Sequence, residues 1–222
     1  MRWTAAGALG TATNSNPLVT VREMTADDID AVVQVHTRAF PEYLLTHMGS
    51  RYLRHYYSTF ALDSKHYALV AEIDGRVVGF VAGTAETGQL EARVYRPSIV
   101  TALTVAARFV TDPVLRKHLL SKRTHIKRTF ARPPVSTSSR PAVRARQARL
   151  LSIGVSPDLQ RMGVAQALVN AFNKRLHADG IAAVGLSVRH DNTSGIAFYD
   201  RTGWDRDNSD KNGIYYVRST AS

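Results

Sequence analysis

The stretch from Leu150 to Phe172 constrains the fold of this 222-residue chain more than any other. Residues 150–155 form an apolar run that is too short for a typical helix, and Pro157 ends it because proline cannot donate to a sheet. From Met162 onward the apolar residues recur at helical spacing, at Val164, Leu168, Val169 and Phe172. The sequence therefore predicts a buried strand, a tight turn and a helix that opens on glycine.

The turn between this strand and this helix carries little side chain where the helix begins. Gly163 and Ala165 let the backbone approach a ligand closely, and the unpaired N–H groups of a helix start suit an anion. The turn thus favours a phosphate or pyrophosphate, and Arg161 would add a charge-assisted hydrogen bond. A plain strand–turn–helix with a packing glycine is the alternative interpretation.

The same residues form a motif, V-x-P-x-x-Q-x-x-G-x-A. It consists of Val155, Pro157, Gln160, Gly163 and Ala165. The motif resembles the acyl-CoA-binding motif of the GNAT superfamily of N-acyltransferases. Two ordered segments of the chain carry the resemblance, and together they are far more specific than either one alone.

The second segment runs from Leu186 to Trp204 and is similar to the next strand and helix of that family. Four residues match the family pattern, namely Asn192, Phe198, Tyr199 and Gly203. Gly195 stands where the family has a small Ala, and Trp204 stands where it has Phe. The whole resemblance covers residues 18–91 and 148–218.

The resemblance implies a mixed α/β fold, a twisted and mostly antiparallel sheet of six to seven strands flanked by helices. Alternation and turn residues predict strands at 18–23, 67–73, 76–84 and 214–218, and helices at 25–40 and 50–60. Asp74-Gly75 is a favoured two-residue hairpin turn. We predict one domain over 18–222, preceded by a disordered tail at 1–17.

A basic insertion separates the third strand from the fourth, at residues 92–147. Helical patterns predict two helices there, Ile99–Val110 and Pro113 to about Phe130, followed by a flexible basic loop at 132–146. The insertion carries thirteen of the 29 Lys and Arg residues but one of the 18 acidic residues. This charge fits a solvated helical face, an acidic acceptor substrate, or contact with nucleic acid or an anionic membrane.

Composition excludes several classes of site. The chain has no cysteine, which rules out disulfide scaffolds, thiolate metal sites and a cysteine nucleophile. The eight histidines show no metal-ligand spacing, so no metal is predicted. No apolar run reaches the ~18–20 residues of a membrane span and no convincing signal peptide is present, so we predict a soluble, cytoplasmic protein. The net charge of +11 favours polyanionic partners or an acidic ligand.

The resemblance also implies which residues bind acetyl-CoA. The backbone of Ile153, Gly154 and Val155 would align pantetheine and polarise the thioester carbonyl. Asn192 would hydrogen-bond the pantetheine arm, and Tyr199 would donate a proton to the leaving thiolate. The backbone N–H groups of one run of residues would hold the pyrophosphate, namely those of Gln160, Arg161, Met162, Gly163, Val164, Ala165 and Gln166.

No general base is evident from the sequence. Many relatives carry a Glu in or just before the strand of the main motif, but this chain has no carboxylate between Asp112 and Asp158. The candidates elsewhere are Glu72, Glu86, Glu91 and His190. An ordered water, or an amine that is already partly deprotonated, would also serve.

These features predict an acetyl-CoA-dependent N-acetyltransferase. Because the chain has no cysteine and no evident activated nucleophile, we expect direct transfer to a primary amine of a small molecule in a ternary complex. A protein or peptide amine is the alternative acceptor. The alternative function is an acyl-CoA-binding regulatory module whose basic insertion contacts nucleic acid or membrane. A homodimer formed through the last strand or the insertion is a further alternative.

Overall fold

One seven-stranded sheet organises the protein. The computed structural model describes residues 19–63, 66–85, 99–121, 147–211 and 213–221. The strands are β1 (Thr20–Glu23), β2 (His66–Ile73), β3 (Arg76–Thr84), β4 (Gln147–Val155), β5 (Ala183–Val188), β6 (Asp205–Asp210) and β7 (Gly213–Ser219). Their order is β1-β2-β3-β4-β5-β7-β6, and only the β4–β5 pair among these strands is parallel. The predicted mixed, mostly antiparallel sheet is confirmed.

Helices flank this sheet. They are α1 (Ile29–Ala39), α2 (Leu44–Met48), α3 (Ser50–Ala61), α4 (Ile99–Thr111), α5 (Pro113–Ser121), α6 (Val164–Ala178) and α7 (Thr193–Arg201). The first helical turn near Thr25 is a 3-10 turn at Ala26–Asp28, and α1 follows it directly. The short α2 is absent from the sequence prediction, because five residues give too little periodicity to detect.

Apolar side chains cover both faces of the sheet. One cluster packs α6 and α7 against the sheet, with Leu168, Phe172 and Tyr199 among its members. The other packs α1 and α3 against the opposite face, around Tyr57 and Phe80. The predicted apolar face of the α3 region is confirmed, since Tyr52, Leu53, Tyr56, Tyr57 and Phe60 are all buried. The central strands are therefore covered on both sides, as their Val- and Ala-rich sequences require.

The turns of the sheet follow the sequence closely in one place and depart from it in another. Asp74 and Gly75 take left-handed φ values of 50° and 72°, as the predicted hairpin turn demands.

The strand β6 was not predicted, because its sequence, DRDNSD, is entirely polar and exposed. Pairing with β7 holds this edge strand in place despite its unfavourable composition.

The described part of the insertion is a pair of helices that packs on α2 and α3. Asp112 starts α5 by accepting hydrogen bonds from the N–H groups of Val114 and Leu115, at 2.8 and 3.0 Å. The Leu115 side chain is fully buried, and Asp112 also pairs with His47 of α2 at 2.9 Å. The predicted continuation to Phe130, the loop at 132–146 and the tail at 1–17 lie outside the described residues.

Candidate active site

The parallel strands β4 and β5 pair over a short length and then separate. Their register joins Gln147, Ala148 and Arg149 to residues 183–185, and no pair follows. Beyond this point β4 pairs with β3 and β5 pairs with β7. The facing edges of residues 150–155 and 186–188 therefore border an opening in the sheet, which we call the cleft.

A bulge in β4 shifts the register of the strand against β3 at the point where the cleft begins. Ala82 pairs with Ser152 and Gly83 pairs with Leu150, so Leu151 is the extra residue and is 38% exposed. Past the bulge, Ser152 lies on the same face as Ala82, which belongs to the α1–α3 cluster. Ser152 thus faces α3.

The three predicted pantetheine-binding residues form the end of β4. Ile153 packs partly against the α6–α7 cluster, whereas Gly154 and Val155 are buried. A Cβ on Gly154 would come within 2.8 Å of Phe80 and 3.0 Å of Phe40. Glycine suits this position because the ring of Phe80, on the neighbouring strand β3, and that of Phe40, just after α1, occupy the space that a side chain would need.

The loop that follows β4 has unusual backbone geometry. Arg161 and Gly163 both take left-handed conformations, with φ values of 66° and 83°. Arg161 is strained, because residues with a Cβ rarely adopt positive φ, and such strain clusters at functional sites. Helix α6 starts at Val164, directly after Gly163, which agrees with the predicted helix that opens on glycine.

The start of α6 offers an anion site. Gly163 is the N-cap residue and no side chain caps the helix, which leaves its first N–H groups without a side-chain partner. Gln160, Arg161, Met162 and Gly163 are exposed, and Val164 is buried in the α6–α7 cluster. Ala165 and Gln166 are half-buried, and the Gln166 amide donates to Asn170 at 2.8 Å. The loop thus presents uncapped N–H groups beside the end of β4.

Asn192 lies on the opposite side of the cleft, at the start of α7. Its side-chain oxygen accepts a hydrogen bond from the Gly195 N–H at 2.9 Å and so caps the helix. A Cβ on Gly195 would stand 2.7 Å from the Asn192 amide nitrogen, which explains the glycine where the family has Ala. The Asn192 amide also hydrogen-bonds the Tyr43 hydroxyl.

The end of α1 and its connection to α2 contact both sides of the cleft. Arg38 forms an ion pair with Asp158 after β4, at 2.5 Å. Tyr43 contacts the end of β5, where the Arg189 guanidinium lies over its ring, 5.2 Å from the centroid. This connection therefore forms a border of the cleft, a feature that the sequence did not indicate.

Tyr199 lies in α7 and is 5% exposed. Aromatic rings surround it, with centroids at 5.1 Å for Phe198, 5.3 Å for Trp204 and 5.5 Å for Tyr216. Burial, and to a lesser degree the neighbouring Tyr216, raises the pKa of Tyr199 well above its usual value near 10. The phenol therefore keeps its proton at neutral pH.

A chain of buried polar groups runs from α1 to β4. His36 Nδ1 lies 2.6 Å from the Tyr57 hydroxyl, and that hydroxyl lies 3.2 Å from Ser152 Oγ. His36 is 2% exposed and Tyr57 is fully buried. Burial lowers the pKa of His36 to about 4 and raises the pKa of Tyr57 well above 10. These hydrogen bonds could not be predicted from the sequence, because His36 and Tyr57 are 21 positions apart and Tyr57 and Ser152 are 95 positions apart.

The base candidates from the sequence lie elsewhere. Glu72 is held by Arg22 on the β1–β2 pair, at 2.5 Å. His190 Nε2 lies 2.6 Å from the Asp210 carbonyl oxygen and donates to it, which ties the end of β5 to the β6–β7 turn. Glu86 and Glu91 lie outside the described residues. Within the described ranges, no group of three or more His, Asp or Glu side chains is arranged to hold a metal ion.

Comparison with known proteins agrees with this geometry. The family model described as "Acetyltransferase (GNAT) family" matches residues 128–204. The chain is 38% identical over 58 residues to the [ribosomal protein bS18]-alanine N-acetyltransferase of Escherichia coli strain K12. That match covers 26% of this chain and 39% of the relative, so it spans well under half of the relative's length.

Solved structures share the fold over most of the chain. The crystal structure of SsHAT is 27% identical, with a TM-score of 0.58, and the match covers 93% of this chain and 100% of SsHAT. The PaiA N-acetyltransferase of Thermoplasma acidophilum in complex with coenzyme A has the same fold at 13% identity. Its TM-score is 0.55, with 91% of this chain and 99% of PaiA covered. The match of residues 128–204 to the GNAT acetyltransferase family model and the shared fold agree with the resemblance seen in the sequence.

Proposed function

We propose that the protein transfers an acetyl group from acetyl-CoA to a primary amine. The observation that carries this proposal is the cleft between β4 and β5, which ends beside the uncapped start of α6. A cleft with one free strand edge and an adjacent anion site suits a long cofactor with a diphosphate at one end. The match of residues 128–204 to the GNAT acetyltransferase family model supports this class of reaction.

The residues present fit acetyl-CoA in its expected orientation. The backbone of Ile153, Gly154 and Val155, along the β4 edge that β5 leaves, would align the pantetheine arm as an additional strand in the cleft. The pyrophosphate would accept hydrogen bonds from N–H groups of the loop and the first turn of α6, between Gln160 and Gln166. Arg161 is exposed in this loop and adds positive charge. Acetyl-CoA supplies the thioester, and the protein holds it beside the amine.

Transfer proceeds directly from the thioester to the amine. The chain offers no cysteine for an acyl-enzyme intermediate, so both substrates bind together. The amine nitrogen attacks the thioester carbon, the C–S bond breaks, and the leaving sulfur takes a proton. Tyr199 is the proposed proton donor, because burial keeps its phenol protonated at neutral pH.

Two classes of amine are proposed as acceptor. The helices α4 and α5 pack on α2 and α3, and a cover of this kind favours a small amine enclosed at the mouth of the cleft. The relative from Escherichia coli is named for the alanine of a ribosomal protein, which supports a peptide amine instead. We further propose a cytoplasmic location. Within the described ranges, no helix is both long enough and apolar enough to span a bilayer.

Thiol release from acetyl-CoA tests the function directly. The amines tested are amino sugars, polyamines, and peptides that begin with alanine. Each is assayed with the wild-type protein, and a reaction without amine is the control. Release that depends on one amine class, with the acetylated amine found by mass spectrometry, supports the enzyme and identifies its acceptor. Tight binding of acetyl-CoA without release for any amine would contradict acetyl transfer and favour the acyl-CoA-binding module.

A further inference from the structure

The hydrogen-bonded chain from His36 to Ser152 has a defined direction. A phenol is a better proton donor than an alkyl hydroxyl, and an imidazole nitrogen is a better acceptor than a hydroxyl oxygen. Tyr57 therefore donates its hydrogen bond to His36 Nδ1, across the short 2.6 Å contact. Ser152 donates to the Tyr57 hydroxyl oxygen, across the longer 3.2 Å contact. This arrangement needs a neutral imidazole, and burial keeps His36 neutral.

Ser152 stands at the only end of this chain that meets the cleft. Its backbone lies in β4 one residue before Ile153, and its side chain is half-buried, whereas His36 and Tyr57 are buried. Since its hydrogen points to Tyr57, the lone pairs of Ser152 Oγ remain for a donor in the cleft. The N–H of an attacking amine is such a donor.

We propose that Ser152, Tyr57 and His36 form the route by which the attacking amine loses its proton. This role rests on the proposed acetyl transfer. As the C–N bond forms, the nitrogen passes one proton to Ser152 Oγ, Ser152 passes its own proton to Tyr57, and Tyr57 passes its own to His36 Nδ1. The imidazole becomes positively charged, and no electrons are gained or lost. After the product leaves, the reverse transfers return the three groups to their resting state and release the proton to water in the cleft.

The resting basicity of His36 is low, yet it suffices for this step. A nitrogen that has just bonded to the tetrahedral carbon is a far stronger acid than the free ammonium ion. His36 also remains unprotonated at neutral pH and is thus always ready to accept. The carboxylate Glu72 is bound to Arg22 on the far β1–β2 pair, so it does not compete for this role.

Substitutions at the two hydroxyls test the route. Ser152→Ala and Tyr57→Phe are each expected to lower kcat about 100-fold at saturating acetyl-CoA, the size of a typical general-base contribution. The acetyl-CoA dissociation constant, measured by calorimetry, is expected to stay within about twofold of wild type. Ser152→Thr keeps a hydroxyl and is expected to retain most of the activity. Tyr52→Phe removes another buried phenol of α3 and serves as the control.

The double variant separates a proton route from a structural role. If the hydroxyls act as one unit, Ser152→Ala combined with Tyr57→Phe loses no more activity than either single variant. Wild-type kcat in Ser152→Ala, at unchanged thermal stability, would overturn the route while acetyl transfer stands. A kcat loss in Ser152→Ala that Ser152→Thr fails to restore would also overturn it. A wild-type protein that acetylates no amine would overturn the proposed function and this role together.

Discussion

The two walls of the cleft use buried tyrosines in different ways. The β4 wall, formed by β4 with α1 and α3, contains Tyr57, whose hydroxyl contacts His36 on one side and Ser152 on the other. The β5 wall, formed by β5 and α7, contains Tyr199, which is surrounded by aromatic rings. Burial raises the pKa of both phenols. Since both pKa values are raised, the two tyrosines differ in the groups that surround them and not in their acidity.

This difference assigns opposite proton movements to the two walls. Tyr57 can receive a proton on one side and release one on the other, because an acceptor lies 2.6 Å away. The contacts described for Tyr199 are with aromatic rings, and in the proposed reaction its proton would pass to a group that enters the cleft. In the proposed reaction, the amine would lose its proton to the β4 wall, and the thiolate would gain one from the β5 wall.

Removal of the Tyr199 hydroxyl is expected to give the largest effect. Tyr199→Phe should lower kcat about 100-fold, because the leaving thiolate loses its proton donor, while the acetyl-CoA dissociation constant changes less than twofold. Steady-state kinetics and calorimetry measure the two quantities. Unchanged kcat would remove Tyr199 from the mechanism and break the comparison between the walls.

The buried imidazole of the β4 wall is expected to make stability depend on pH. The His36 pKa is lowered from 6.5 to about 4, so the unfolded chain binds this proton more tightly than the native protein. The contribution of His36 is fully present above pH 6.5 and is lost as pH falls toward 4, by about 1–2 kcal/mol at pH 5.

Urea unfolding of His36→Gln at pH 7.5 and 5 measures this contribution. The variant should lose less stability between the two pH values than wild type does. His177→Gln, at an exposed position of α6, is the control and should follow wild type. Equal pH dependence in His36→Gln and wild type would show that His36 titrates normally, which contradicts a neutral buried acceptor.

The left-handed glycine of the loop is expected to affect cofactor affinity. Gly163→Ala meets no atom within 4 Å, so its cost is the positive φ alone, about 1 kcal/mol. Displacement of the helix start should weaken acetyl-CoA binding about fivefold. Gly75→Ala carries the same strain in the hairpin turn, at φ 72°, and should lower stability equally without changing affinity. Equal affinities in the two variants would contradict the anion site.

A smaller effect is expected at Asn192, on the β5 wall. Asn192→Ala removes the cap of α7 and should lower the free energy of unfolding by about 1 kcal/mol. The KM for acetyl-CoA should rise about threefold, since pantetheine loses one hydrogen bond. Thermal unfolding and steady-state kinetics separate the two effects. An unchanged KM would limit Asn192 to its capping role.

The sequence predicts the parts of the site that are contiguous in the chain. The run from Leu150 to Phe172 contains a strand, a breaking proline and a helical period, and each signal is local. The left-handed turn at Arg161 and Gly163 escapes prediction, because it depends on backbone geometry that periodicity does not record.

The parts that depend on distant pairing escape sequence prediction. His36 looks like one polar residue of an amphipathic helix, and Tyr57 looks like one of several core aromatics. They meet Ser152 only because the bulge at Leu151 sets the face of β4 that Ser152 occupies. β6 is missed for the same reason, since its strand conformation comes from β7 and not from its own residues.

A crystal structure of the complex with acetyl-CoA tests the central claim most directly. We expect the pyrophosphate within hydrogen-bond distance of N–H groups between Gln160 and Gln166, and pantetheine beside Ile153, Gly154 and Val155. The thioester should lie between Ser152 on the β4 wall and Tyr199 on the β5 wall. A cofactor bound outside the cleft, or with its thioester remote from both residues, would contradict this account.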